Sequence, residues 1–267
     1  MSDGIKEDQE TGQLMLEVTG AMPYAGRNKF RHSSALIDAA YSLSIFGKRV
    51  LWLCLSDLDN AAEHPGAFRL TPAVYRAMFK TTTKHSWSDL RDGIRSLQKD
   101  GGITFKLKDG RYDEHWMPWL MDVYALRSGT PNAEYLIIFN PRIVAQMKEL
   151  KHGYAKLAFN DVGRITSDKQ ARLYEKCCQT AAFGGFTATP EQLHKLCDIT
   201  GLQATNAAEL KRRFLDPAVK RLNAVTPLDI AWFREKETGK YRFIVTDTRE
   251  VEKANTDGLP VEPEGEE

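Results

Sequence analysis

The chain has 267 residues, enough for two compact domains, and a composition of 42% hydrophobic and 10% aromatic residues suffices for a core in each. Lys and Arg number 37 against 36 Asp and Glu, a balance that taken alone argues against a polyanionic partner. The acids, however, sit at the ends: five against one base in residues 1–20 and seven against one in residues 250–267, leaving 35 bases and 24 acids between residues 21 and 249. The excess divides over 21–152 (19 to 13) and 153–249 (16 to 11), so two basic bodies facing a polyanion are expected.

No uncharged apolar run approaches the ~20 residues of a membrane span, and Met1-Ser2-Asp3-Gly4 leads into acids rather than a signal-peptide core. A cytoplasmic protein with no membrane partner is expected. Cys54, Cys177, Cys178 and Cys197 fall in helical patterns without a C-x-x-C pair and read as reduced core thiols. His194-x-x-Cys197 beside Cys177-Cys178 is the one metal-like spacing. It lies on two amphipathic segments rather than a tight turn, so no metal and no cofactor are expected.

In chain order, residues 1–24 read as a disordered acidic tail. Two helices follow, Ser34 to Leu43 and Ser44 to Leu58, with Ser44 as cap of the second. Thr71-Pro72 then gives a helix start with Thr71 at the N-cap and Pro72 at the first helical position. Thr189-Pro190 repeats it 118 residues later, with Gln192 completing a capping box. A second helix follows each start, from Ser86 boxed by Asp89 and from Asn206 boxed by Glu209, the two caps 120 residues apart. After each the period falls to two: Ile103–Leu107 with a turn at 108–111 and Tyr135–Phe139 in the first half, Leu228–Phe233 and Tyr241–Val245 in the second. Helices followed by a β-hairpin, done twice, predict an α+β protein of two tandem pseudo-symmetric winged-helix domains. Their expected bounds are 25–150 and 151–250, with a disordered acidic tail at 251–267.

An enzyme needs a constellation that the chain lacks. There is no G-x-x-x-x-G-K-[ST] loop, no G-x-S-x-G elbow and no His-hydrophobe-His pair among the six histidines, and Asp113-Glu114 reads as a solvated turn. A non-enzymatic protein is expected. The basic clusters carry more. Lys211, Arg212 and Arg213 lie in the first turns of the Asn206 helix, opposite the stripe of Leu210 and Phe214, where a recognition helix meets base edges. The planar guanidinium fork suits guanine O6 and N7, although a merely solvated helix face fits the same residues. Arg234, Lys236, Lys240 and Arg242 surround the Thr238-Gly239 tip as a wing that reaches phosphates. In the first half Lys84, His85, Arg91, Arg95 and Lys99 supply a weaker set, interrupted by Asp89, Asp92 and Asp100, that suits backbone contact. Pro217 denies an amide to the Arg213 carbonyl, so the helix is expected either to kink after the basic cluster or to end early.

Leu36-Ile37-Asp38-Ala39-Ala40-Tyr41-Ser42-Leu43-Ser44 with Lys48-Arg49, then Ala171-Arg172-Leu173-Tyr174-Glu175, then Lys211-Arg212-Arg213-Phe214-Leu215 with Leu222-Asn223 and Thr226-Pro227, resemble the iteron-binding replication initiator (Rep) family of theta-replicating plasmids. The resemblance spans roughly residues 30–249. It implies two winged-helix domains, with the first dimerising and touching the DNA backbone and the second reading sequence through Arg212 and Arg213. It further implies double-stranded DNA partners (origin iterons and an operator inverted repeat), origin opening, recruitment of a host replication initiator and the replicative helicase, and a homodimer in equilibrium with monomer that represses its own gene. Three positions depart from the pattern: Gly47 before the Lys48-Arg49 pair, Ile45 where a relative has arginine, and Gly93 for a usual Ala, the last expected to loosen its helix. Two alternatives stay open on the residues alone: a tandem winged-helix transcription regulator without initiator activity, and a DNA-nicking replication enzyme. The aromatic stretch from Trp116 to Phe139 exceeds what a small wing needs. A strand edge there, with Tyr135 and Ile137 pointing outward, is expected to pair with its twin, unless the domain's own helices bury it.

Overall fold

The computed structural model describes residues 26–58, 64–99, 102–107 and 111–249, together with the short antiparallel strands Ile5–Glu7 (β1) and Leu14–Leu16 (β2). The rest of both acidic tails and the turn at 108–110 lie outside the described residues. Among the described residues no helix is long and apolar enough to cross a membrane.

The first half begins with Lys29–Ser33 (β3) and the short helix Ser34–Asp38 (α1), whose cap Ser33 accepts from the Leu36 amide. This helix does not run to Leu43. Ala40 instead exchanges both backbone hydrogen bonds with Thr104, at 3.0 and 2.8 Å, which pulls the chain out of the helical register. Ile45–Leu58 (α2) then starts under the Ser44 hydroxyl, which accepts the Gly47 amide at 3.1 Å. Ala67–Leu70 (β4), Pro72–Phe79 (α3, capped by Thr71) and Thr83–Lys99 (α4) follow. The last of these starts a turn earlier than Ser86. The Thr82 carbonyl accepts the His85 and Ser86 amides, and the Ser86 hydroxyl bonds back to the Thr83 carbonyl inside the helix rather than capping it. Ile103–Lys106 (β5) and Glu114–Met117 (β6) form one hairpin, Leu120–Leu126 (β7) and Glu134–Phe139 (β8) a second, before Pro141–Lys148 (α5).

The sheet of this half runs β4-β8-β7, so β8 is its central strand. Tyr135 and Ile137 are therefore buried, at 3% and 0% exposure, and do not point outward as the alternation suggested. The exposed edge is β7, which carries Met121, Tyr124 and Leu126 toward solvent.

The second half repeats the plan. Tyr154–Ala158 (β9), Phe159–Val162 (α6) and Asp168–Thr180 (α7) lead through a 3-10 turn at Ala181–Phe183 to Gly185–Ala188 (β10). Pro190–Cys197 (α8) carries both bonds of the Thr189/Gln192 capping box. Next come Leu202–Thr205 (α9), Ala207–Leu210 (α10), a π-helical turn Lys211–Leu215, Asp216–Val225 (α11), Leu228–Arg234 (β11) and Tyr241–Asp247 (β12). Its sheet runs β10-β12-β11, and Ala188 opposes Tyr241 as Leu70 opposes Tyr135 in the first. Two tandem winged-helix units with one topology follow from this matching. The 150/151 division falls between α5 and β9, but β9 returns to pair with β3 along Phe30↔Leu157, so a two-stranded ribbon ties the halves.

Two glycines set the approach of α2 to α4. A Cβ at Gly47 would stand 2.7 Å from the Ser96 hydroxyl, and one at Gly93 would stand 2.5 Å from the Phe46 carbonyl oxygen and 2.7 Å from a Val50 methyl. Gly93 thus tightens this crossing instead of loosening its helix. Gly93→Ala is expected to cost about 1–3 kcal/mol by overpacking, more than the ~1 kcal/mol that Ala restores in helix propensity. Thermal unfolding checks it, and a variant at least as stable as the parent would refute the close-contact account.

Across the join between α2 and α7 lies a buried network. Glu175 accepts from the Lys48 ammonium at 2.6 Å and from the Trp52 indole at 2.8 Å, with Arg172 at 3.6 Å and His32 at 3.8 Å. Lys48 also donates to the Tyr41 hydroxyl at 2.6 Å, and Arg172 donates to the carbonyls of Leu196 and Ala39. Burial alone would push the Glu175 carboxyl up, but Lys48, His32 and Arg172 outweigh it and hold it down at about 2. Burial pulls the His32 imidazole down to about 4 against the pull of Glu175. The Arg-Leu-Tyr-Glu motif is therefore a buried strut that ties α7 to α2 and β3, not a DNA contact.

Candidate nucleic-acid interface

The recognition helix of the second half starts where Asn206 accepts the Ala208 and Glu209 amides at 2.9 and 3.2 Å. The capping box expected there is half formed. The Asn206 amide is spent on the Leu202 carbonyl at 3.0 Å, which leaves the Glu209 carboxylate to other donors. Pro217 does not end the helix. The five-residue turn Lys211–Leu215 widens to π geometry, with the Asp216 amide reaching the Lys211 carbonyl, and α11 continues to Val225. Phe214 and Leu215 fill the core side while Lys211, Arg212 and Arg213 all stay exposed on the wide turn.

These three cations are held in place. Glu209 accepts from Arg212 Nη2 at 2.9 and 3.0 Å and from its Nε at 3.3 Å, and it also pairs with Arg213 Nε. Lys211 donates to both Asp216 oxygens at 2.8 and 3.0 Å and sits 5.0 Å over the Trp232 ring, linking the helix to the first strand of the wing. Lys220, which sequence reading passed over, joins Lys211, Arg212 and Pro217 along a shallow groove on the same face. Its signal was present: it lies beyond Pro217, where an early helix end would have placed it off the surface.

In the wing, Gly239 takes a left-handed φ of 69° and its amide returns to the Glu235 carbonyl at 3.0 Å, closing the tip. Arg234 donates to the Gly239 carbonyl at 3.1 Å and so braces the tip. Lys236, Lys240 and Arg242 are exposed around it. Arg242 stands opposite Phe233 and Thr187 on the open face of the sheet.

The first half presents a looser set. Lys84, His85, Arg95 and Lys99 are exposed on α4, whereas Arg91 is half-buried, 3.1 Å from Asp92 and stacked over Trp87. Arg76, absent from the sequence reading, donates to the Thr83 hydroxyl at 3.1 Å and stands beside the start of α4. The elements bring Lys211, Arg212, Arg213 and the wing strands into one basic surface. The α4 cations form a separate one.

Two winged helices, each with an exposed basic helix, define a DNA-binding protein of the tandem winged-helix class. The sequence matches Initiator Replication protein, WH1 over residues 29–178 and Initiator Rep protein, WH2 over residues 191–246. The chain belongs to this initiator replication protein family, and the WH1 match runs through β9 and almost to the end of α7. It is 30% identical over 230 residues to an uncharacterized 27.6 kDa protein of Escherichia coli, covering 82% of this chain and 94% of that one. Its fold is similar to that of the Pi initiator protein, whose crystal structure is in complex with iteron DNA. The TM-score is 0.66 at 15% identity, over 83% of this chain and 98% of that one.

Proposed function

We propose that this protein starts plasmid replication by binding iterons in duplex DNA, with the second winged helix reading sequence and the first gripping backbone. The observation that carries this is the exposed Lys211-Arg212-Arg213 cluster on the π turn, coupled through Trp232 to the wing. In this reading Arg212 and Arg213 meet guanine edges, Arg234, Lys236, Lys240 and Arg242 meet phosphates, and Lys84, His85, Arg91 and Arg95 meet the backbone of an adjoining groove. The finer steps belong to the same reading: opening of adjacent AT-rich DNA, recruitment of a host initiator and helicase without catalysis by this chain, action in the cytoplasm, and autorepression by a dimer on an inverted repeat. The Pi complex with iteron DNA supports it by fold, and family membership by sequence. If both halves straddle successive grooves and neutralise ~8 phosphates, the slope of log K against log salt is about −7. Titration of duplex DNA across salt concentrations tests this, and a slope shallower than about −3 would mean that one domain alone binds.

The dimer of this reading pairs through the β7 edge, where Met121, Tyr124 and Leu126 are exposed. Tyr124→Lys with Leu126→Lys should yield monomer that keeps repeat binding. Sedimentation and DNA titration on the same samples decide it, and a double variant that stays dimeric would place the interface elsewhere.

A further inference from the structure

Three facts single out Glu209. Its carboxylate lies beneath two guanidiniums, with side-chain exposure of 20% against 65% for Arg212 and 53% for Arg213. It takes Arg212 by the Nε and Nη2 side, and Arg213 by Nε. The turn that follows is the wide one, which keeps both arginines on the exposed face.

A guanidinium has five N–H donors in a rigid plane. Engaging the Nε side uses the edge nearest the aliphatic stem and leaves the terminal edge, with one N–H on each Nη, free to fork onto O6 and N7 of guanine. An unsupported arginine would give up its rotamer freedom on reaching that geometry. Glu209, by holding the Nε sides of Arg212 and Arg213, restricts both side chains before DNA arrives. Its charge also reduces the Arg212-Arg213 pair from two net positive charges to one, which weakens attraction to any phosphate regardless of sequence. The hydrogen bond from Arg212, with both arginine charges, holds the Glu209 carboxyl below its usual range, so the group is ionised at neutral pH.

We infer that Glu209 is a positioning residue for sequence recognition: it aims Arg212 and Arg213 through their Nε sides and at the same time discourages their use as general phosphate binders. The inference rests on the duplex-DNA reading above. The matching pair of Lys211 with Asp216 shows the same design one turn on, with the lysine drawn onto Trp232.

The test uses the full chain and two duplexes, one selected by the parent protein from a randomised library and one scrambled from it at equal composition. Glu209→Ala and Glu209→Gln are expected to bind the scrambled duplex more tightly and the selected one no better or worse, so that the preference ratio falls about tenfold. Glu209→Asp, which keeps the charge on a shorter stem, should hold scrambled binding near the parent level while still losing preference. Equal tightening on both duplexes would reduce Glu209 to a charge screen and overturn the inference. So would unchanged binding of both, or equal weakening with a lowered melting temperature, which is the mark of a helix-start role alone. A parent protein that shows no preference between the duplexes would instead sink the sequence-reading assignment itself.

Discussion

Glu175→Ala is expected to lower the folding free energy by about 3–5 kcal/mol, the largest effect of any single substitution considered, because it strands Lys48 and Arg172 without their counter-charge in a fully buried site. The Trp52 indole N–H loses its acceptor in the same stroke. In a chain of this size such a loss moves the melting temperature by on the order of 10 °C. Combining Lys48→Met with Glu175→Gln should cost less than the two changes summed, since the ion pair is then removed from both sides. The same network makes the fold acid-sensitive. Glu175 at about 2 and His32 at about 4 both lie below their unfolded values of 4.5 and 6.5, so the unfolded chain binds more protons in each window. The contribution of these two groups is therefore full above pH ~6.5, falls between ~6.5 and 4 as His32 resists protonation, and falls again between ~4.5 and 2 as Glu175 is protonated. Burial pulls the Lys48 ammonium from 10.5 down to about 7, so Lys48 adds a further rise in stability from pH ~7 to ~10.5. Urea midpoints at several pH values measure both effects. A flat profile over this range, or a Glu175→Ala variant within ~1 kcal/mol of the parent, would show that the network contributes little to folding.

Arg212→Ala and Arg213→Ala should each cost ~1–3 kcal/mol on the selected duplex, a five- to 150-fold loss, and relax preference at one or two base pairs. Stability should stay close to the parent, because both side chains are exposed and leave Phe214 and Leu215 in the core. Arg95→Ala and Lys84→Ala are expected to weaken every duplex about equally and to make the salt dependence shallower. Arg91→Ala should do the same to a smaller degree, since Asp92 and Trp87 already occupy it. Selection of preferred sequences by each variant reads out the difference directly. Equal losses on selected and scrambled DNA for Arg212→Ala would remove the recognition role from this helix.

The β3–β9 ribbon and the Glu175 network join α2 and β3 to β9 and α7, elements that lie almost entirely within the residues matching WH1.

Local interactions were legible in the chain itself. Thr71-Pro72 and Thr189-Pro190 start helices because a side-chain oxygen meets amides two or three residues on and proline accepts the first helical position, and both starts form as read. The duplicated order of helices and hairpin and the exposure of Lys211, Arg212 and Arg213 follow from periodicity in the same way. The tertiary structure decided what depends on partners distant in sequence. Strand order puts β8 between β4 and β7 and so buries Tyr135 and Ile137, which alternation alone cannot assign to centre or edge. Gly93 reads as a weak helix residue until Phe46, on another helix, proves to be at contact distance. Lys48, Arg172 and Glu175 stand in the chain as family-like motifs with no partner evident in sequence, and folding brings Lys48 and Glu175, more than a hundred positions apart, within hydrogen-bonding reach, because in a buried site an ion pair is tolerated only when its counter-charge arrives from elsewhere in the chain.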